Sequence, residues 1–145
     1  MAKRRRALKI AFLDSSVLFS AVYSPTGGSS KLFTIRGLKL VTSKVVLAEV
    51  ERNVRHKLES YHLGRFFRLV EKLIILDIEP NVRDISKAKM VIVKKDAVIL
   101  SQAKVSKSGC LFTLDRKHFL NEKVEKFIKP IKVITPKMYF QGGNY

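Results

Sequence analysis

Two of the twelve acidic residues in this chain close apolar runs: Asp14 follows IAFL and Asp115 follows CLFTL. If the two runs are neighbouring parallel strands, both carboxylates project into the crevice beyond the strand ends, where open α/β sheets bind ligands. Asp96 falls at the start of a predicted helix, where unpaired backbone N–H groups favour an anion. Glu49 lies in the helical run VVLAEVERN. Three or four carboxylates meeting in one crevice repel one another and acquire raised pKa values unless a cation sits among them. All-oxygen ligation suits Mg²⁺ or Mn²⁺, which take one or two carboxylates, waters and substrate phosphate. Such an ion polarises a phosphodiester and activates water as the attacking nucleophile. A plainer reading stands beside this one. Asp14 and Asp115 also suit the N-caps of helices at residues 16–23 and 117–120. Spacing alone leaves both readings open.

The elements that must position these residues alternate between strand and helix. Residues 8–13 (LKIAFL) read as a buried strand and 15–23 as a helix stopped by the loop Ser24-Pro25-Thr26-Gly27-Gly28. Ser29 or Ser30 suits the cap of a short helix at 31–36, and residues 38–42 make a second strand. Ser43 caps a longer helix, 44–58, whose Val46, Leu47, Val50, Val54 and Leu58 mark one buried face. The next amphipathic helix, 63–73, turns Phe66, Phe67, Val70 and Leu73 inward. Strand 74–78, helix 84–92 and helix 95–107 follow, the last ended by Gly109 as a C-terminal cap. Strand 110–114, a helix near 121–127 ended by Pro130, and strand 131–134 complete the pattern. Such alternation implies a mostly parallel sheet with helices on both faces, an α/β/α sandwich.

At 145 residues the chain fits one domain with a proper core. Residues 1–7 read as a basic arm, 8–140 as the domain and 141–145 as a tail. The single cysteine, Cys110, excludes an internal disulfide framework and a cysteine-based zinc site, and reads as a small buried hydrophobe. A reducing, cytoplasmic setting is expected. The basic start and short apolar run of residues 1–13 end on Asp14 without a signal-peptide cleavage pattern. No stretch approaches the roughly 20 apolar residues of a membrane-spanning helix. Lys and Arg total 29 against 12 Asp and Glu, a formal net charge of +17. That field favours polyanions such as RNA, although a solvated basic surface has the same composition. The tract Lys3-Arg4-Arg5-Arg6 reads as a phosphate-binding arm.

The segments AFLDSSVLFSAVYSPTGGSSKLF, VTSKVVLAEVERNVRHKL, KKDAVILSQAKVSKSGCLFTLDRKHF and IKVITPKMYF together resemble the PIN-domain family, in particular its small single-domain VapC-like ribonucleases. The match runs from about Ile10 to Phe140 with the elements in family order. No single motif is specific; their joint order and spacing carry the likeness. The resemblance implies a three-layer α/β/α fold with a central, mostly parallel sheet and a nuclease site using Mg²⁺ or Mn²⁺. Its four acids fall on Asp14, Glu49, Asp96 and Asp115. Thr113 matches a hydroxyl residue that would hydrogen-bond a carboxylate or metal-bound water, its plain alternative being a β-branched strand residue. The resemblance also brings an antitoxin protein and a homodimer into view as partners.

The chain departs from that pattern in places. Ser16 stands where many relatives have Asn, and Lys94 and Lys95 precede Asp96 where relatives often carry further acids. His118 stands where some have another Asp, and as a ligand or base it competes with a surface histidine. Phe66 and Phe67 suit core or dimer packing more than base stacking. Three functions are therefore carried forward: a metal-dependent endoribonuclease, as the toxin of a toxin–antitoxin pair; a non-catalytic nucleic-acid-binding module; and a protein-interaction subunit. Acids at all four positions favour the first.

Overall fold

The computed structural model describes residues 10–142. The basic arm and the first two residues of the predicted strand 8–13 lie outside them, as do residues 143–145. The apolar runs become short strands: β1 (Ile10–Leu13), β2 (Lys39–Ser43), β3 (Ile74–Leu76), β4 (Cys110–Phe112) and β5 (Lys132–Ile134). They form one sheet in the order β3-β2-β1-β4-β5, parallel throughout. Ala11, Phe12 and Leu13 of β1 and all three residues of β4 are fully buried. Successive strand residues point to opposite faces, so helices cover both sides of this central pair. That is the condition under which parallel sheets are found.

Parallel neighbours need crossovers, which the helices supply. After β1 come α1 (Ser15–Tyr23), α2 (Gly28–Lys31) and a 3₁₀ turn at Leu32–Thr34. After β2 come α3 (Lys44–Lys57) and α4 (His62–Val70), and after β3 come α5 (Val82–Ala88) and α6 (Lys94–Val105). The helix α7 (Glu122–Ile128) joins β4 to β5, and α8 (Pro136–Phe140) follows the last strand. The chain thus builds outward from β1 to β3, then returns to lay β4 on the other side of β1. The strand order reverses at the β1–β4 junction, which is where α/β sheets form their ligand crevice.

Several expected details change. Neither Ser29 nor Ser30 caps a helix: α2 starts from Gly27 without a side-chain cap. Both serines are buried, and Ser30 Oγ donates to the carbonyls of Ala21 and Ser24, which ties α2 to the end of α1. In α4 the inward stripe is Phe66, Leu69 and, just beyond it, Leu73, leaving Phe67 half exposed and Val70 only partly buried. Adjacent residues sit about 100° apart round a helix, so both phenylalanines cannot face the core. Lys107, with φ 60°, takes the left-handed turn after α6 that Gly109 was expected to supply. Gly109 instead lies nearer the sheet, its N–H donating to Ile10 O at 2.8 Å. The predicted strand 74–78 stops at Leu76, and the helix after it runs over Val82–Ala88, started by Asn81, whose side chain accepts from the Asp84 N–H. The helix α8 was not predicted, though its signal is plain: Thr135 accepts from the Met138 N–H and Pro136 occupies the first turn. No helix of the described residues is long and apolar enough to cross a membrane.

Candidate active site

Register decides what meets at the ends of β1 and β4. Leu13 is paired with Phe112, so the next residues, Asp14 and Thr113, emerge side by side. Both are buried, with Asp14 3% and Thr113 0% exposed. Asp14 caps α1 by accepting the Val17 N–H on Oδ1 at 3.1 Å, and Ser16 Oγ donates to the same oxygen at 2.7 Å. Thr113 Oγ1 donates to the other oxygen, Oδ2, at 2.6 Å. Each hydroxyl in turn accepts a backbone N–H from the loop after β4: Leu114 N–H to Ser16 Oγ and Asp115 N–H to Thr113 Oγ1, both at 3.0 Å. Two adjacent amides therefore reach the two oxygens of one carboxylate, each through one hydroxyl. Burial nevertheless pushes the Asp14 carboxyl up to about 6, since desolvation outweighs these hydrogen bonds and the nearby Asp115 adds repulsion.

Asp115 is held differently. Its Oδ1 accepts the His118 N–H at 2.9 Å, and its Oδ2 lies 3.0 Å from His118 Nδ1. Partial burial works against ionisation, but the His118 amide and ring more than offset it and hold the carboxyl below its usual value. The capping role read for Asp115 and a place in the crevice thus coexist, as they do for Asp14. Asp96 lies in the first turn of α6, which no side chain caps. Its Oδ2 is fully buried with no hydrogen-bond partner. Burial, reinforced by Asp115 and Glu49, raises its pKa against the lowering pull of Lys95 and His118.

Asp14, Glu49, Asp96 and Asp115 line one cleft of about 200 Å³. Ligating atoms of Asp96, Asp115 and His118 lie within 4.8 Å of one another, His118 standing outside the cleft lining; Asp14 and Glu49 share the cleft without belonging to that tighter group. Thr113 sits behind Asp14 rather than on the cleft wall. Among the described residues, none of the four acids is paired with a lysine or arginine, despite the basic composition. An orphaned buried carboxylate oxygen, two raised pKa values and four carboxylates on one cleft with an imidazole beside Asp115 fit a divalent cation. Sequence reasoning missed Asn53 and Lys57, which line the cleft from α3. With Glu49 they recur every fourth residue along one helix face, a signal that could have been read. Phe19, Ile99 and Phe119 supply the apolar part of the wall.

The PIN domain family profile matches residues 11–123, a span that includes all four acids. A comparison with curated proteins finds none that matches the chain. Among solved structures, the fold is similar to a chain in the crystal structure of VapBC2 from Rickettsia felis bound to a DNA fragment from their promoter. The TM-score is 0.66 at 18% identity, and the alignment covers 87% of this chain and 98% of that one. The family match extends over most of the domain and embraces the strand ends that build the cleft, so the chain belongs to the PIN domain family.

Proposed function

We propose that this protein is a metal-dependent endoribonuclease, with Mg²⁺ or Mn²⁺ held by Asp14, Glu49, Asp96 and Asp115. The observation that carries this reading is the convergence of four carboxylates, drawn from four separate stretches of chain, on one cleft where, among the described residues, none of them is ion-paired with a lysine or arginine. The buried, unpartnered Asp96 Oδ2 marks where a positive charge belongs. A cation bound there supplies the charge that polarises a phosphodiester and lowers the pKa of the attacking water. The chain's own residues do the remainder. Thr113 and Ser16 fix the orientation of Asp14, and the His118 amide fixes Asp115. The net charge of +17 draws an RNA backbone to the surface around the acidic cleft.

The toxin half of a toxin–antitoxin pair is the biological role we favour, supported by likeness of fold to a chain of the VapBC2 complex. Its partners would then be RNA, an antitoxin protein and a second copy of the chain. Titrating Mn²⁺ into the wild type and Asp14→Asn, with RNA cleavage assayed in parallel, tests the enzymatic reading. The wild type should bind the ion, cut RNA only with metal and stop with a chelator. The variant should bind metal much more weakly and cleave orders of magnitude more slowly. Equal metal binding and equal activity in the two proteins would overturn the assignment. RNA binding without cleavage under any divalent metal would favour the non-catalytic module.

A further inference from the structure

Beyond the far end of α1 lies a second concave feature, of about 380 Å³, among Tyr23, Pro25, Tyr61, His62, Arg65 and Arg68. Three of its rings are stacked: Tyr61 on His62 at 4.2 Å between centroids, and Tyr23 on the same imidazole at 6.1 Å. The outer rings face solvent, Tyr61 being 74% and Tyr23 61% exposed. Arg65 is fixed beside them, Nε donating to Ala21 O and Nη2 to Ser30 Oγ, each at 2.9 Å. Arg68 lies along the bare backbone at Gly64, where a methyl group would stand 3.6 Å from its Nη1. Among the described residues, neither arginine has a carboxylate partner.

The hollow and the acidic cleft are linked by one face of α1. Ser16 and Phe19 of α1 line the cleft and Tyr23 lines the hollow, at three- and four-residue steps along one helix face. At 1.5 Å per residue, Ser16 and Tyr23 are roughly 10 Å apart along the axis. From the other side, Asn53 and Lys57 of α3 lead out of the cleft and the chain reaches Tyr61 four residues later. We propose that this ring stack is a platform for single-stranded RNA, on which unpaired bases stack while Arg65 and Arg68 meet the phosphates of a strand leading into the cleft. Exposed rings beside unpaired cations are the combination that binds single strands without reading sequence. Tyrosine and arginine also anchor protein interfaces. The +17 charge, the lack of a carboxylate partner for either arginine among the described residues, and the face of α1 shared with the cleft favour RNA here.

The inference rests on the ribonuclease reading for its biological sense, but binding and cleavage are measured separately. Anisotropy of a labelled, unstructured RNA oligonucleotide is followed in chelator for the wild type, Tyr61→Ala, Tyr61→Phe and Arg68→Ala, with an RNA duplex as control. Tyr61→Ala should bind the single strand about tenfold more weakly, and Tyr61→Phe should bind like the wild type because stacking needs the ring alone. Arg68→Ala should lower the salt dependence by about one phosphate contact. Duplex affinity should be the same with and without the Tyr61 ring, since paired bases are already stacked. Unchanged single-strand binding by Tyr61→Ala, or an equal loss on duplex, overturns the platform, and so does a Tyr61→Ala defect confined to self-association. If the wild type cuts RNA and Tyr61→Ala binds and cuts equally well, the platform falls and the nuclease stands. If Tyr61→Ala loses single-strand affinity but no metal ever supports cleavage, the platform stands and the nuclease reading falls.

Discussion

The acidic cleft and the ring stack lie at opposite ends of α1 and solve opposite problems. In the cleft, buried like charges are forced together. Burial raises the pKa of Asp14 and Asp96, and one Asp96 oxygen has no partner at all. The ring stack stores no such conflict: its rings pack on one another in water, and Arg65 is satisfied by a carbonyl and a hydroxyl. The first region carries buried charge without a partner, whereas the second has its contacts made and its rings exposed. Regions of the first kind reveal themselves by electrostatics and those of the second kind by exposure.

The largest expected effect that would break this contrast comes from Asp96→Asn. Loss of a hydrogen-bond partner behind a metal ligand already costs tenfold to a hundredfold. Removing a ligand charge should therefore lower metal-supported cleavage by at least about a hundredfold, read from cleavage rates over a Mn²⁺ series. Metal-free folding should not suffer, because the change removes a charge that burial and the neighbouring carboxylates disfavour. Wild-type cleavage by this variant would mean that the cleft is no more ligand-dependent than the ring stack.

A stability measurement sharpens the same point. The unfolded chain ionises Asp14 near 3.8 and the folded chain near 6. The folded state therefore binds more protons across that window, and its stability falls as pH rises through it. The full penalty is about 3 kcal/mol for a shift of this size, and it persists at neutral pH without metal. In chelator, the difference in unfolding free energy between Asp14→Asn and wild type should grow from pH 4 to pH 6 and then level off. Asn keeps the cap, so the variant should gain up to that amount. Equal stability of variant and wild type at pH 7 would show that Asp14 is an ordinary cap with no buried-charge cost.

Thr113→Val should have the smallest effect of the three. It removes the donor to Asp14 Oδ2 and leaves the Asp115 N–H without its acceptor. Denaturant unfolding should show a loss of about 1–3 kcal/mol, and Thr113→Ser should recover most of it. Equal stability of Val and Thr at this position would make Thr113 a space-filling strand residue.

Much of the fold was legible because its strands are short apolar runs separated by amphipathic helices, and the central sheet is parallel as expected. Helix boundaries and faces were less so. Phe66 and Phe67 are both apolar, and only the phase of α4 decides that the first is buried and the second half exposed. A left-handed turn at Lys107 is set by tertiary packing and has no sequence signal. At the cleft, Asp14 and Asp115 could be noticed as acids ending apolar runs. That Glu49 and Asp96 line the same cleft depends on how α3 and α6 pack, which periodicity does not report. Tyr23, Tyr61 and His62 were invisible as a group, since the end of α1 and the start of α4 form a stack only when those helices are docked.

The double relay through Ser16 and Thr113 spans 98 and 99 residues of sequence. Contacts of such long separation form only after the loop between them has been closed. An N-terminal fragment ending before β4 has Asp14, Glu49 and Asp96 but neither the hydroxyl of Thr113 nor the carboxylate of Asp115. A chain emerging from the ribosome thus lacks the fourth acid, and the hydroxyl behind the first, until about four-fifths of it has been made. Assembly itself delays the site, and the cleft is unfinished for most of the chain's synthesis.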